Sequence, residues 1–254
     1  MTNVFTTRFS HKAEIYARYR WRYAPEAIQR LFDVLPPKGV VADIGAGTGI
    51  LTRPLLTNAA CVYAVEPNAA MRSVAEYLHG ARQNFRGVAG TAEATTLPEA
   101  SVDLIAVAQA LHWCDPAPTV REFRRILKPG GWLALLWNNS RHTELGQALQ
   151  TLHQARYGWD TDASSYPRCE PYAFYFGHER YAEYCFPVAT RQTWEEFFGC
   201  LCSDSHAPLP DHPAFADFEA AAQAIYNHFR VGDTIPAHYQ TELVLGQLDV
   251  TKTS

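Results

Sequence analysis

The residues whose types and spacing most clearly indicate a chemical role are three glycines, Gly45, Gly47 and Gly49. They directly follow the apolar run Val40–Ile44. A continuous apolar run is typical of a buried parallel strand. Glycines after it let the backbone turn tightly and approach a ligand closely, because no Cβ intervenes. The residues from Ile50 to Thr57 are expected to form a helix. A strand, a glycine loop and a helix in this order indicate a site for a nucleotide derivative.

Two acidic residues lie at the ends of neighbouring apolar runs. Glu66 follows the run Cys61–Val65, where a carboxylate can accept hydrogen bonds from both hydroxyls of a ribose. Asp43 lies near the end of the first run. Its carboxylate is expected either to face a positively charged group of the ligand or to stabilise the start of the following helix.

The glycine pattern differs from two common phosphate-binding loops. The dinucleotide fingerprint requires glycine or alanine where this chain has Ile50. The P-loop requires Gly-Lys followed by Ser or Thr, which the sequence lacks. An NAD(P)-dependent oxidoreductase is therefore the less favoured alternative.

The elements that must position these residues alternate along the chain. The expected strands are Val40–Ile44, Cys61–Val65, Phe85–Ala89, Val102–Ala108 and Trp132–Trp137. The first expected helix covers residues 8–34, with an interruption near Pro25, and the last covers Thr119–Leu127. Between them, a helix capped by Asn68 is expected to run to about His79, with Met71, Val74, Ala75 and Leu78 on one face. The alternation predicts an α/β fold with a doubly wound, mostly parallel sheet, whose strand ends lie at one ligand-binding edge.

Composition excludes several classes of protein. The net charge is −4, so no global basic field indicates a nucleic-acid partner. The sequence lacks a signal peptide and an apolar run long enough to span a membrane, which favours a cytoplasmic protein with no membrane partner. The six cysteines show no paired metal-ligand spacing, and we expect no metal site.

Four motifs in order over about residues 40–138 resemble class I S-adenosylmethionine (SAM)-dependent methyltransferases. They are Val41–Gly49, Val65–Asn68 followed by Met71, Gly90–Glu93 with Leu97-Pro98 and Ser101–Asp103, and Leu127–Gly131. The resemblance implies a Rossmann-like methyltransferase fold with a seven-stranded sheet. It also implies SAM as cofactor and S-adenosylhomocysteine as product.

The resemblance assigns roles to single residues. The implied cofactor-binding residues are Tyr16, Asp43, Gly45, Gly47, Gly49, Glu66, Pro67, Met71, Thr91, Ala92, Glu93, Ala108 and Gln109. The glycines would line the methionine side, and Glu66 would hold the ribose. Thr91 stands where many relatives carry an aspartate that accepts from the adenine amino group. A hydroxyl substitutes weakly, which leaves that contact to backbone groups or Glu93.

Two segments, 16–20 and 108–113, look similar to small-molecule methyltransferases related to the trans-aconitate type. This similarity implies a small-molecule acceptor with an oxygen, nitrogen or carboxylate nucleophile, and no nucleic-acid partner. His112 is a candidate general base, although a histidine bonded to backbone explains it as well. A protein that binds the cofactor without catalysis is a further alternative.

Other candidate acceptor residues have equally ordinary explanations. Tyr16, Tyr19 and Trp113 could face the cationic methyl donor or simply pack in the interior. Arg18 or Arg20 could hold an acidic acceptor or lie in solvent.

We expect residues 1–254 to form one domain, as a monomer or homodimer, with the cofactor-binding core at 40–140. Residues 142–230 are interpreted as a helical and aromatic insertion or lid, whose aromatic side chains could cover the acceptor, hold an irregular region together or form a dimer contact. This region contains the expected helices Glu144–Tyr157, Trp194–Cys202 and Phe215–Phe229 and an irregular stretch at 158–187. A closing strand is expected within 235–247.

Overall fold

A computed structural model describes residues 12–140, 143–154, 170–204 and 207–249. Its centre is a seven-stranded sheet with the order β3-β2-β1-β4-β5-β7-β6. The strands are β1 (Val40–Ile44), β2 (Cys61–Val65), β3 (Phe85–Val88), β4 (Val102–Ala108), β5 (Leu127–Asn139), β6 (Ala182–Gln192) and β7 (Ile235–Gln247). Strands β1 to β5 pair in parallel, whereas β7 pairs antiparallel with both β5 and β6. The predicted fold class is confirmed.

Helices cover both faces of the sheet. They are α1 (Ala13–Tyr19), α2 (Pro25–Val34), α3 (Thr52–Leu55), α4 (Ala69–His79), α5 (Pro116–Ile126), α6 (Glu144–Gln154), α7 (Tyr172–Phe176), α8 (Trp194–Cys202) and α9 (Phe215–Phe229). In β4, Leu104 joins the core shared with α2, α3 and α4, while Ile105 joins the core shared with α5 and α7. A strand buried on both faces explains why this segment reads as a continuous apolar run.

Several expected boundaries differ from the structure. The interruption expected near Pro25 is confirmed: residues 20–24 separate α1 from α2, and Pro25 is the first residue of α2, where its fixed φ and missing N–H are accommodated. The helix expected over Ile50–Thr57 is the single turn α3. Leu78, expected on the buried face of α4, is 51% exposed. Residues 8–11 of the first expected helix and 155–157 of the helix expected from Glu144 lie outside the described residues.

The irregular stretch expected at 158–187 is wrong at Tyr172–Phe176, which form α7, and from Ala182 onward, where the chain forms β6. Within the described residues, this strand lies at the edge of the sheet and pairs only with β7. An edge strand tolerates Pro187, which cannot donate to a ladder. The closing strand expected within 235–247 is β7. Strand β6 is the one strand of the described sheet that the sequence did not predict.

Three helices from the C-terminal half form a separate apolar cluster. Residues of α6, α8 and α9 pack together there, with Phe197, Phe218 and Ala222 among the buried side chains. Helix α8 also packs against α1, where a Cβ at Gly199 would lie 2.5 Å from the ring of Tyr19. This cluster therefore packs against the N-terminal helix α1 through α8. Over the described residues, no helix is long and apolar enough to cross a membrane.

Candidate functional site

A cavity of about 250 Å³ opens where the sheet order reverses between β1 and β4. Open α/β sheets bind ligands at this switch point, beyond the carboxyl ends of the strands. Of the residues predicted from sequence, those that line the cavity are Tyr16, Gly45, Gly47, Glu66, Pro67, Met71, Thr91, Ala92, Glu93, Ala108 and Gln109. The fold thus gathers residues from five separate segments around one space.

The loop after β1 brings bare backbone to the cavity wall. Gly45 has φ +68° and Gly47 has φ +56°, a region that favours glycine. A Cβ at Gly45 would lie 2.5 Å from the Cβ of Ala110, so the close approach of two loops requires glycine there. A Cβ at Gly47 would meet no atom within 4 Å. The space beside Gly47 is therefore available to a ligand.

Glu66 holds this loop and the start of α4 together. Its Oε2 accepts from the Gly47 N–H at 2.9 Å, and its Oε1 accepts from the Asn68 N–H at 2.8 Å. The side chain of Asn68 in turn accepts from the Met71 N–H at 3.0 Å and caps α4 as expected. Burial raises the pKa of Glu66, and the two N–H donors oppose that shift. A buried carboxylate so placed has acceptor capacity left for a ligand.

The far wall is built from the segment after β3. The Thr91 N–H donates to the Ala94 carbonyl at 3.1 Å, and the Ala94 N–H returns a bond to the Thr91 carbonyl at 3.3 Å. This tight turn directs Ala92 and Glu93 to the cavity. The Oε1 of Glu93 accepts from the Asp115 N–H at 2.8 Å. Glu93 therefore also anchors the start of α5.

Gln109, directly after β4, has a left-handed backbone with φ +55°. For a non-glycine residue this conformation is strained and persists only where its surroundings impose it. Its N–H donates to the Leu136 carbonyl at 3.0 Å, and its Nε2 donates to the Asn138 carbonyl at 3.1 Å. These two bonds to β5 hold the residue at the cavity wall.

A hydrogen-bond network connects β5 to the N-terminal segment that closes the cavity. The Nδ2 of Asn138 donates to the Arg22 carbonyl at 3.2 Å, and its Oδ1 accepts from Thr241 Oγ1 at 2.7 Å. The Oγ1 of Thr241 accepts from the Ala24 N–H at 2.9 Å. The segment between α1 and α2 is thereby bonded to β5 and β7, next to the helix that carries the half-buried Tyr16.

The polar side chains of α1 contact the helical cluster. The Tyr19 hydroxyl donates to Glu195 at 2.7 Å, and Arg18 pairs with the same carboxylate at 2.9 Å. Arg20 pairs with Asp204 at 3.2 Å, and its guanidinium lies 5.1 Å from the centroid of the Tyr16 ring. Trp113, in contrast, lines the cavity. None of the described residues within 142–230 lines the cavity. These helices contact α1, and α1 contributes Tyr16 to the cavity lining.

Three predicted site residues do not line the cavity. Asp43 is 1% exposed and accepts a 2.5 Å hydrogen bond from Thr52 Oγ1, at the start of α3. Burial raises the pKa of Asp43 to about 7, with the charge of Glu66 adding to the rise and Thr52 opposing it. Gly49 has φ +84°, and a Cβ there would lie 2.7 Å from the ring of His79. His112 lies in a single 3₁₀ turn with its ring centroid 4.9 Å from that of Trp113.

The cavity also includes residues that are not among the predicted cofactor-binding residues. These are Ile44, Asn68, Ala110, Trp113 and Cys114. Asn68 belongs to the predicted motif Val65–Asn68 and to the expected helix cap, and Trp113 is one of the rings that could face the methyl donor. Ala110 and Trp113 belong to the motif at 108–113, so their place in that motif could have predicted that they line the cavity. Ile44 and Cys114 have ordinary apolar side chains that carry no chemical signal.

The sheet order, the glycine loop after β1 and the acidic Glu66 after β2 together define a class I methyltransferase fold. Residues 42–135 match the family described as a methyltransferase domain. Residues 42–135 thus carry a methyltransferase domain, and the predicted resemblance to class I SAM-dependent methyltransferases is confirmed for this part of the chain. Its likeness to the trans-aconitate group stays a prediction.

Similar proteins agree with this assignment. An uncharacterized methyltransferase of Mycobacterium tuberculosis is 42% identical over 138 residues, which are 54% of each chain. A malonyl-[acyl-carrier protein] O-methyltransferase of Marinomonas sp. is 32% identical over 133 residues, covering 50% of this chain and 48% of that protein. The chain thus spans about half the length of the curated relatives it matches.

Among solved structures, a proposed type II methyltransferase from Anaeromyxobacter dehalogenans superimposes with a TM-score of 0.64 and 21% identity. The alignment covers 90% of this chain and 98% of that one. The YcgJ protein of Bacillus subtilis gives a TM-score of 0.57 with 20% identity, covering 89% and 100% of the two chains. These likenesses establish the fold.

Proposed function

We propose that the protein is an enzyme that binds SAM in the cavity at the switch point and transfers its methyl group to a small molecule. The acceptor atom is an oxygen, a nitrogen or a carboxylate oxygen, and S-adenosylhomocysteine is released. The observation that carries the proposal is the shared cavity of Glu66 and the glycine loop. A buried carboxylate beside bare backbone suits a ribose and the chain attached to it.

The residues present fit this cofactor. Glu66 accepts from the ribose hydroxyls, while Pro67 and Met71 border the base together with Ala92. The open space at Gly47 admits the part of the ligand nearest the loop. When bound, SAM supplies an electrophilic methyl group on a positively charged sulfur. Tyr16 and Trp113 present aromatic rings to the same cavity, and such rings favour a cation.

The contribution of the chain to the reaction is positioning. An in-line displacement needs the nucleophile close to the methyl carbon and aligned with the bond that breaks, and orientation supplies much of the rate. The strained Gln109 and the network at Asn138 hold β4, β5 and the segment that follows α1 in one arrangement around the cavity. A carboxylate acceptor is already a nucleophile, whereas a hydroxyl or amine must lose a proton.

A thermal-shift comparison tests the cofactor class. S-adenosylhomocysteine at about 100 times its Kd stabilises the folded protein by about 2.7 kcal/mol. For a chain of this size that corresponds to a rise in Tm of about 5 to 10 °C. NADH at the same concentration is expected to leave Tm unchanged. A larger shift with NADH would contradict the proposal.

The role of His112 is tested by methyl transfer. We expect His112→Ala to keep both cofactor affinity and most of its methyl-transfer activity, because the ring lies outside the cavity lining. The assay follows labelled methyl groups from SAM onto a panel of carboxylates, phenols and amines. Loss of transfer with unchanged cofactor affinity would instead establish His112 as a general base, which typically contributes about 10²-fold or more.

A further inference from the structure

A second pocket, of about 670 Å³, lies on the other side of the glycine loop. The two spaces share the loop as a wall. Gly45 and Gly47 line the cofactor cavity, whereas Thr48 and Gly49 line the second pocket. Helices α1, α3 and α4 provide its other sides. This pocket has no role in the proposed methyl transfer.

Four arginines from four segments line this pocket, and one of them, Arg18, is paired with Glu195. They are Arg18 of α1, Arg22 before α2, Arg53 of α3 and Arg82 after α4. Glu14 is the acidic residue of the described lining. The pocket therefore concentrates positive charge on a protein whose net charge is −4. Such local concentration attracts anions over a distance set by the ionic strength.

Two of these guanidinium groups are uncommitted. Within the described part of the chain, Arg53 and Arg82 make no ion pair and no side-chain hydrogen bond. Arg22 donates to the Ala17 carbonyl at 3.3 Å and has no carboxylate partner there. Arginines elsewhere do pair, as Arg125 does with Glu122 at 2.7 Å. The guanidinium groups of Arg53 and Arg82 are therefore free to bind an anion in this pocket.

The arginines are near enough to affect one another and their neighbour. The pKa of Arg22 is lowered, first by burial and then by the charge of Arg53. The pKa of His79 is lowered by burial and further by the charges of Arg82, Arg53 and Arg22. An anion placed among them would relieve this mutual repulsion.

The remaining wall is apolar and open to solvent. Val74, Tyr77 and Leu78 of α4 line the pocket, with Tyr77 89% exposed and Leu78 51% exposed. Thr48 also lines the pocket, and its buried hydroxyl has no hydrogen-bond partner among the described residues. An aromatic ring, an aliphatic side chain and a hydroxyl beside guanidinium groups match a ligand with an anionic head and an apolar body.

We propose that this pocket binds a phosphoryl group attached to an aromatic or aliphatic body, at a site separate from the cofactor cavity. The planar guanidinium fork matches the oxygens of a phosphate and donates in pairs to them. Several arginines around one space suit a dianion better than a single carboxylate. The apolar body packs on Tyr77 and Leu78, whose exposed surface it removes from water.

Calorimetric titration with phenyl phosphate tests this site in the full chain saturated with S-adenosylhomocysteine. One phenyl phosphate is expected to bind per chain, with a Kd that rises with salt. The double variant Arg53→Gln/Arg82→Gln is expected to raise Kd about tenfold or more, because two charge-assisted donors are lost. A control with the same change of charge, Arg121→Gln/Arg180→Gln, alters exposed arginines outside the pocket and is expected to keep the wild-type Kd.

Four results would overturn the proposal. They are no detectable binding, equal Kd values in the two double variants, displacement of phenyl phosphate by S-adenosylhomocysteine, and benzoate binding as tightly as phenyl phosphate. Because Arg53 and Arg82 are exposed, the variants are expected to keep the wild-type Tm. Titration without S-adenosylhomocysteine is expected to give the same Kd, so this test does not depend on the proposed methyl transfer.

Discussion

Replacing Glu66 with glutamine is expected to raise the Kd for S-adenosylhomocysteine by about 10- to 100-fold, since charge-assisted hydrogen bonds contribute roughly 1.5–3 kcal/mol each. The carboxylate oxygens accept from Gly47 and Asn68 in the absence of ligand. An amide has only one acceptor oxygen. Glu66→Gln therefore both removes the negative charge proposed to face the ribose and leaves one backbone N–H without its acceptor. Isothermal titration at neutral pH measures the change.

A matched control separates binding from folding. Glu26→Gln removes a carboxylate from an exposed position in the first turn of α2 and is expected to leave the Kd unchanged. Circular dichroism checks that Glu66→Gln keeps the wild-type secondary structure. An unchanged Kd in a folded Glu66→Gln protein would mean that the ribose assignment is wrong. Because burial raises the pKa of Glu66, wild-type affinity is also expected to fall as the pH drops through that pKa.

Sequence predicts the central sheet well because its strands are buried on both faces. The bounds of β1, β2 and β4 agree with the expected apolar runs. A strand covered on both sides has few positions that tolerate polar side chains, so its limits are visible in one sequence. The cavity lining follows from the same cause. Parallel strands with right-handed crossovers bring their carboxyl ends to one edge, whichever residues lie between them.

The unpredicted features depend on contacts between distant segments. Strand β6 alternates half-buried and exposed residues at the edge of the sheet, so no apolar run marks it. The aromatic residues expected to cover the acceptor include Tyr175 and Phe176, which are fully buried against the sheet in the core shared with α5. An aromatic side chain suits a core as well as a ligand surface. Only the tertiary contacts decide between these roles.

Asp43 also had two expected roles, since its carboxylate could lie either beside the ligand or at the start of the following helix. The structure brings it to Thr52 at the start of α3, buried and without a cationic partner among the described residues. Its pKa of about 7 in the folded protein compares with an ordinary value of 3.8. The folded state therefore holds this proton more tightly than the unfolded state does. The carboxylate costs stability once it ionises.

Asp43→Asn is accordingly expected to gain stability relative to wild type as the pH rises. Below about pH 4 the carboxyl is protonated in both states, and its ionisation costs nothing. Between about pH 4 and pH 7 the unfolded state loses the proton first, so the wild-type free energy of unfolding falls. Above about pH 8 the full cost applies, on the order of 4 kcal/mol from a shift of about three pKa units. The asparagine avoids this cost while its Oδ1 still accepts from Thr52.

Urea unfolding of the cofactor-free variant and wild type at about pH 5 and pH 8 measures this difference. Asp103→Asn provides a contrast of opposite sign, because Asp103 pairs with Lys128 at 2.8 Å and accepts from the Val40 N–H. Removing that paired charge is expected to destabilise the protein at pH 8. A difference between Asp43→Asn and wild type that stays constant from about pH 5 to pH 8 would show that Asp43 is ionised at little cost. The positive change expected instead follows from burying a carboxylate that no described cation neutralises.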